Sequence, residues 1–179
     1  GTGVKAIAEL EDQSRSVLAG EAPAPAAVYP HQIAFNVIPQ VESFKDGDDY
    51  TTEERKMMAE TRKILGLPEL KVTATCARVP VMNGHSESVN LQTTEEATPG
   101  QLRELLADAP GVVVVDDPGN GVYPLAIDGS GRDEVLVGRI RVDESAPRSL
   151  NLWIVGDNLR KGAATNAVQV AELLVQRGL

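Results

Sequence analysis

Arg78 and His85 stand seven positions apart in the stretch Cys76-Ala-Arg-Val-Pro-Val-Met-Asn-Gly-His85. A guanidinium is permanently charged and presents a planar fork that fits a carboxylate. An imidazole, with an ordinary pKa of about 6.5, gains and loses a proton near neutral pH. Together they supply an anchor for a small acidic molecule and a group that moves a proton on it. On one uninterrupted strand their odd separation would turn them to opposite faces. Pro80 and the Asn83-Gly84 pair interrupt the strand between them, and a turn there lets both point into one cleft. The alternative is a surface arginine beside a hydrogen-bonded histidine at a strand edge.

Glu53 and Lys56 lie three apart near the start of a helix and share a face. They suit an amino group and an anion, or simply pair with each other in solvent. Asp157 and Asn158, followed by Lys161-Gly162-Ala-Ala164, open the last helix. Amide groups at such a start meet an anion or the polar edge of a cofactor. Equally, Asn158 is a cap and Gly162 a point of close packing. Cys76 with His85 has the composition of a nucleophilic pair, but the thiol falls mid-strand with no helix N-terminus to lower its pKa, so it reads as a small packed side chain. His31, after Pro30 in a proline-rich loop, reads as a surface residue. No metal site is expected.

These residues need a scaffold, and the periodicities outline one. Val4, Ile7, Ala8, Leu10, Val17 and Leu18 give a first helix, ended by Gly20 and the proline-rich run 21–30. Residues 33–41, with Pro39 inside, form an irregular or edge segment. Thr51-x-x-Glu54 is a capping box opening a helix whose buried face draws on Met57, Met58, Ile64 and Leu65 and which Gly66 and Pro68 stop. Residues 71–79 and 85–92 alternate as strands. Thr98, Pro99 and Gln101 cap a third helix, to about Asp108, with Leu102, Leu105, Leu106 and Ala109 as its stripe. Strands follow at 112–115, 134–142 and 150–155, and a helix over 163–176 closes the chain with a broad Ala/Val/Leu face. Without strict alternation of strand and helix, this is an α+β arrangement, with helices packed on a mixed, mostly antiparallel sheet. No Gly-x-Gly-x-x-Gly turn follows a strand, so a dinucleotide fold is not part of it.

The chain's 179 residues suffice for a single core that buries roughly 70% of the unfolded surface. A net charge of -9 argues against nucleic acid and anionic membranes as partners and leaves small molecules or another protein. The lone cysteine excludes an internal disulfide and a Cys-rich zinc site, and suits a reducing cytoplasm. No apolar run reaches the roughly 20 residues that span a bilayer, and the N-terminus lacks the order of a signal peptide. Gly1 in place of methionine, with a helix already under way at Val4, leads us to expect a trimmed or excised chain.

Six ordered blocks carry a family likeness: Ile33-Ala-Phe-Asn-Val-Ile-Pro39, Glu60-Thr-Arg-Lys-Ile-Leu-Gly66, Cys76-Ala-Arg-Val-Pro-Val81, Gly84-His-Ser-Glu-Ser88, Val137-Gly-Arg-Ile-Arg141 and Asp157-Asn-Leu-Arg-Lys-Gly-Ala-Ala164. With them the chain resembles the C-terminal half of aspartate-semialdehyde dehydrogenase along essentially its whole length, and so the C-terminal domain of the glyceraldehyde-3-phosphate-dehydrogenase-like oxidoreductases. The resemblance implies NADPH-dependent reduction of β-aspartyl phosphate to aspartate semialdehyde and phosphate, through a cysteine acyl-enzyme. It implies that His85 is the general acid/base, that Arg78 grips the substrate carboxylate, that Glu53 holds the amino group and that Lys56 serves the phosphate. Asn158 and Gly162 would lie near the nicotinamide of NADP. Residues 1–157 would then be a substrate-binding and dimerisation domain, and 158–179 a helix packing on an NADP-binding half that is not in this chain. The nucleophilic cysteine belongs to that other half, and Cys76 does not replace it. The expectation is a cytoplasmic homodimer, inactive as the isolated chain and without bound NADP. A non-catalytic dimerisation or metabolite-binding module is the alternative. A relative acting on N-acetylglutamyl phosphate is disfavoured by Glu53, since an acetylated amine offers no cation.

Overall fold

In a computed structural model, residues 3–178 are described and the chain divides into two compact units, 2–80 and 81–179. In the first unit, α1 (Val4–Leu18) presents Ala6, Glu9, Leu10 and Gln13 inward, one face of a helix by their spacing. Two of these are polar, and they satisfy the backbone of the proline-rich connection. The Glu9 carboxylate accepts the N–H groups of Ala27, Val28 and Tyr29, and Gln13 Oε1 accepts those of Ile33 and Ala34 at 2.9 and 3.2 Å. A loop that cannot form a ladder is thereby fixed by side chains. Leu10, Ile33, Ala34 and Ile38 pack beside these bonds as a small core. Val4 and Leu18, part of the apolar period that marks this helix in the sequence, are exposed, because the inward face includes the polar pair.

α2 (Thr52–Leu65) begins at the expected capping box: Thr51 Oγ1 accepts the Glu54 N–H, and Glu54 accepts the Thr51 N–H at 2.8 Å. Gly66 ends the helix in the left-handed region at φ 65°, where a side chain would be strained. Met58 is buried as expected, whereas Ile64 and Leu65 are exposed. Residues 71–79 form no strand. Their burial alternates, but their one ladder-type pairing is the bridge of Arg78 with Ile38, because the neighbouring segment carries Pro39 and bends away from regular pairing. Cys76 accordingly lies in an extended segment rather than mid-strand.

The second unit is built on a four-stranded sheet of β1 (His85–Gln92), β2 (Val112–Val114), β3 (Val135–Val142) and β4 (Ser149–Gly156), in the order β1-β4-β3-β2. β4 runs antiparallel to both neighbours and β2 parallel to β3, so the sheet is mixed and mostly antiparallel. α3 (Pro99–Ala107) opens on the Thr98/Gln101 capping box and sets Leu102 and Leu106 against Val137, Ile140 and Leu152. Leu105 points to solvent. At residues 138–141 the β3–β4 register shifts, and the buried Asp116 carboxylate holds the irregularity by accepting the N–H groups of Arg139 and Ile140 and the Nε of Arg103. Gly138 is required there, since a Cβ would lie 2.0 Å from the Val115 carbonyl oxygen. A short helix, α4 (Ala126–Gly129), lies in the connection between β2 and β3. One wide turn at Arg160–Ala164 leads into α5 (Thr165–Gln176), which buries no residue. No helix among the described residues is long and apolar enough to cross a membrane.

Candidate active site

His85 opens β1 directly opposite Gly156, the last residue of β4, so the imidazole sits where the sheet ends. Gly84 before it takes φ +94°, a conformation open to glycine, and turns the chain into the strand. Three bonds fix that turn. Gly84 donates its N–H to Asn158 Oδ1 at 2.8 Å, and Asn83 Nδ2 donates to Asp157 Oδ2 at 2.8 Å and to Ser130 Oγ at 3.0 Å. A depression of about 150 Å³ lies alongside, lined among others by His85, Glu87, Asn158, Lys161 and Gly162.

Asp157 is buried at 3% exposure and is fully used. Its Oδ2 also accepts the Gly131 N–H at 2.7 Å, while Oδ1 accepts those of Leu159 and Arg160 at 2.8 and 3.0 Å. Burial opposes its charge, but the donors from Gly131, Arg160, Leu159 and Asn83 outweigh it and hold the carboxyl below the usual range. The capping role open to Asn158 in the sequence is thus taken by Asp157, which frees the Asn158 side chain to hold Gly84. Nearby, Arg160 grips Asp133 with two bonds of 2.8 and 2.7 Å. That guanidinium, with the Thr165 hydroxyl, lowers Asp133 to about 2.

The remaining candidates belong to the first unit. Lys56 Nζ lies 3.2 Å from Glu53 Oε2 on the exposed face of α2, and this hydrogen bond raises the lysine pKa. The pair is solvated and holds together by only about 0–1 kcal/mol. Arg78 is half-buried, and its backbone exchanges hydrogen bonds with Ile38 at 2.8 and 3.0 Å. The ion pairs of the described residues engage Arg15, Arg55, Lys56, Arg103 and Arg160, which leaves the Arg78 guanidinium outside them. Glu54 joins these residues: besides capping α2 it accepts the Cys76 N–H at 2.8 Å, fastening the helix of Glu53 and Lys56 to the segment of Arg78. The Cys76 thiol itself lies 3.3 Å from Met57 Sδ, the setting of a packed side chain. His31 is exposed, as read from the sequence. A separate hollow of about 130 Å³ beside Tyr50 is occupied electrostatically by its own Asp48–Arg55 pair, with the guanidinium 4.3 Å from the Tyr50 ring centre.

Residues 1–161 match the model of the semialdehyde dehydrogenase dimerisation domain. The chain belongs to the aspartate-semialdehyde dehydrogenase family. Over 179 residues it is 52% identical to the aspartate-semialdehyde dehydrogenase of Aquifex aeolicus, covering all of this chain and 52% of that protein. It is 54% identical to that of Legionella pneumophila over 175 residues, 97% of this chain and 50% of the relative. Among solved structures, aspartate semialdehyde dehydrogenase II of Vibrio cholerae, complexed with ASA, superposes with a TM-score of 0.89 at 44% identity, covering 96% of this chain and 50% of that one. The Candida albicans enzyme, solved with NADP, gives a TM-score of 0.63 at 26% identity over 80% of this chain and 45% of that one. The chain therefore spans about half the length of the aspartate-semialdehyde dehydrogenases it matches, and corresponds to their dimerisation domain. The mixed sheet with helices on it is the fold expected from the sequence.

Proposed function

We propose that this chain supplies the substrate-binding and acid/base residues of an NADP-dependent aspartate-semialdehyde dehydrogenase, a cytoplasmic homodimer in which the nucleophilic cysteine and the dinucleotide fold come from another part of the polypeptide. In this reading residues 1–157 bind substrate and build the dimer, and 158–179 pack on the nucleotide-binding part. Arg78 takes the substrate carboxylate in a bidentate bond, Glu53 takes the ammonium, and Lys56 turns from Glu53 to the phosphate. Each ligand charge meets its opposite, and the Glu53–Lys56 pair keeps both charges in place before substrate arrives.

The residues beside His85 fit one flat edge of a cofactor rather than a whole dinucleotide. Gly156 and Gly162 leave room in the depression, a Cβ at Gly162 meeting nothing closer than 3.8 Å, and no phosphate-cradling glycine turn accompanies them. Asn158 and Gly162 would hold the nicotinamide side of NADPH, which when bound supplies a hydride to the acyl carbon. His85 gives its proton to the carbonyl oxygen as that oxygen gains charge, and takes it back as the carbonyl re-forms and the sulfur leaves.

The observation that carries this reading is that His85 and the 158–162 segment open into one depression, tied by the Gly84–Asn158 bond, in a chain of this family. The test is turnover. A full-length family polypeptide carrying this chain as its dimerisation domain should oxidise aspartate semialdehyde with NADP and phosphate, and residues 1–179 alone should not. Turnover by the isolated chain, or preference of the full-length form for an N-acetylated semialdehyde, overturns the reading.

A further inference from the structure

Among the described residues Asp157 is a buried carboxylate that accepts four hydrogen bonds, one of them from Asn83 in the turn before His85, and it stands one residue before the proposed cofactor edge, yet it is outside the acid/base and substrate roles above. Asp157 faces four N–H donors with two oxygens. Those on Oδ1 are the first amides of the segment leading into α5, and those on Oδ2 come from Asn83, in the turn before His85, and from Gly131. One side chain thus links the turn before His85 to the start of the segment that carries Asn158, Lys161 and Gly162, and His85 and those three residues line the depression.

We propose that Asp157 is the positioning residue of the acid/base: its carboxylate fastens the 83–84 turn to the start of the C-terminal helical segment, so that the His85 imidazole and the Asn158–Gly162 edge hold a fixed relation. This rests on the reading of His85 as acid/base. The neighbouring Gly84–Asn158 bond completes the tie, but Asn158 is itself held through the backbone that Asp157 caps. Asp157→Asn keeps the volume and loses the symmetry of the site. A carboxamide has one accepting oxygen, so its NH₂ must face one of the two pairs of donors, and that pair is left without an acceptor.

Two measurements test it. In the 179-residue chain, whose two histidines are His31 and His85, D157N should speed amide exchange at Gly84 and Gly131 by about tenfold or more and move the His85 ring resonances while those of His31 stay in place. In the full-length family polypeptide, D157N should lower kcat by about 10- to 100-fold with KM for semialdehyde and phosphate within about twofold, the signature of a misplaced proton-transfer group. N83A, which removes only the turn's own donor, should act in the same direction and more weakly, and carries the test if D157N does not fold. A D157N or N83A enzyme with parental kcat and unchanged Gly84 exchange overturns the proposal. Parental kcat in H85N would instead overturn the reading of His85, and with it the catalytic consequence, while Gly84 exchange still decides whether Asp157 fastens the turn.

Discussion

Removing the Glu54 carboxylate is the most informative perturbation of the first unit, because that single group both caps α2 and ties it to the Arg78 segment. Glu54→Ala deletes two hydrogen bonds of 2.8 Å to a charged acceptor, from the N–H groups of Thr51 and Cys76. Bonds of this kind contribute about 1.5–3 kcal/mol each, and a donor left buried pays its desolvation in full. Thr51 is fully buried, so its amide finds no water, whereas the half-buried Cys76 segment recovers part of its loss. The expected cost is about 3 kcal/mol, a large share of the roughly 5–15 kcal/mol that holds a domain together. With a urea slope of about 1–3 kcal/mol/M, the midpoint at pH 7 should fall by about 1–3 M when unfolding is followed by far-UV circular dichroism. Glu54→Gln, which keeps one acceptor, should lose about half as much.

The pH dependence has a definite sign. The N–H groups of Cys76 and Thr51 lower the Glu54 pKa from its ordinary 4.5, so its contribution is complete above that value and disappears as pH falls through the lower, folded one. Parent and E54A should therefore converge in acid. A midpoint unchanged within about 0.3 M at pH 7, or a gap that persists undiminished at acid pH, would refute the reasoning.

Two further outcomes are expected. Arg78→Lys keeps the charge and loses the fork, so the KM for aspartate semialdehyde should rise by about 10- to 100-fold with a smaller change in kcat, measured by steady-state kinetics of the full-length polypeptide. Asp133, held at about 2 by Arg160 and Thr165, stabilises the folded chain above its ordinary 3.8 and ceases to do so as pH falls toward 2; D133N should lower the melting temperature at pH 6 and leave it unchanged near pH 2.

The elements that the sequence specifies locally were legible from it. Both capping boxes stand where Thr51/Glu54 and Thr98/Gln101 placed them, because a cap is a bond between residues three apart and needs no tertiary information. The strands at 135–142 and 149–156 match their apolar runs within a residue or so. Residues 71–79 did not become a strand despite their alternation, since a ladder requires a regular partner and theirs carries Pro39. The inward face of α1 is not legible in its apolar period for a related reason: Glu9 and Gln13 look solvent-directed in isolation, and only the distant loop whose amides they accept makes them core. At the candidate site, His85 and Asn158 were read as separate candidates, and the structure joins them through Gly84. In the sequence Asp157 shows only as part of a helix start. An acid immediately before a helix is a capping signal, but its bonds to Asn83 and Gly131 span 74 and 26 positions and leave no local trace.

The central claim is that His85 moves the proton in a semialdehyde dehydrogenase reaction, and its most direct measurement is the kcat of His85→Asn in the full-length polypeptide with aspartate semialdehyde, phosphate and NADP. The account predicts a fall of about 10²- to 10⁴-fold with KM nearly unchanged. A kcat within about twofold of the parent would contradict it.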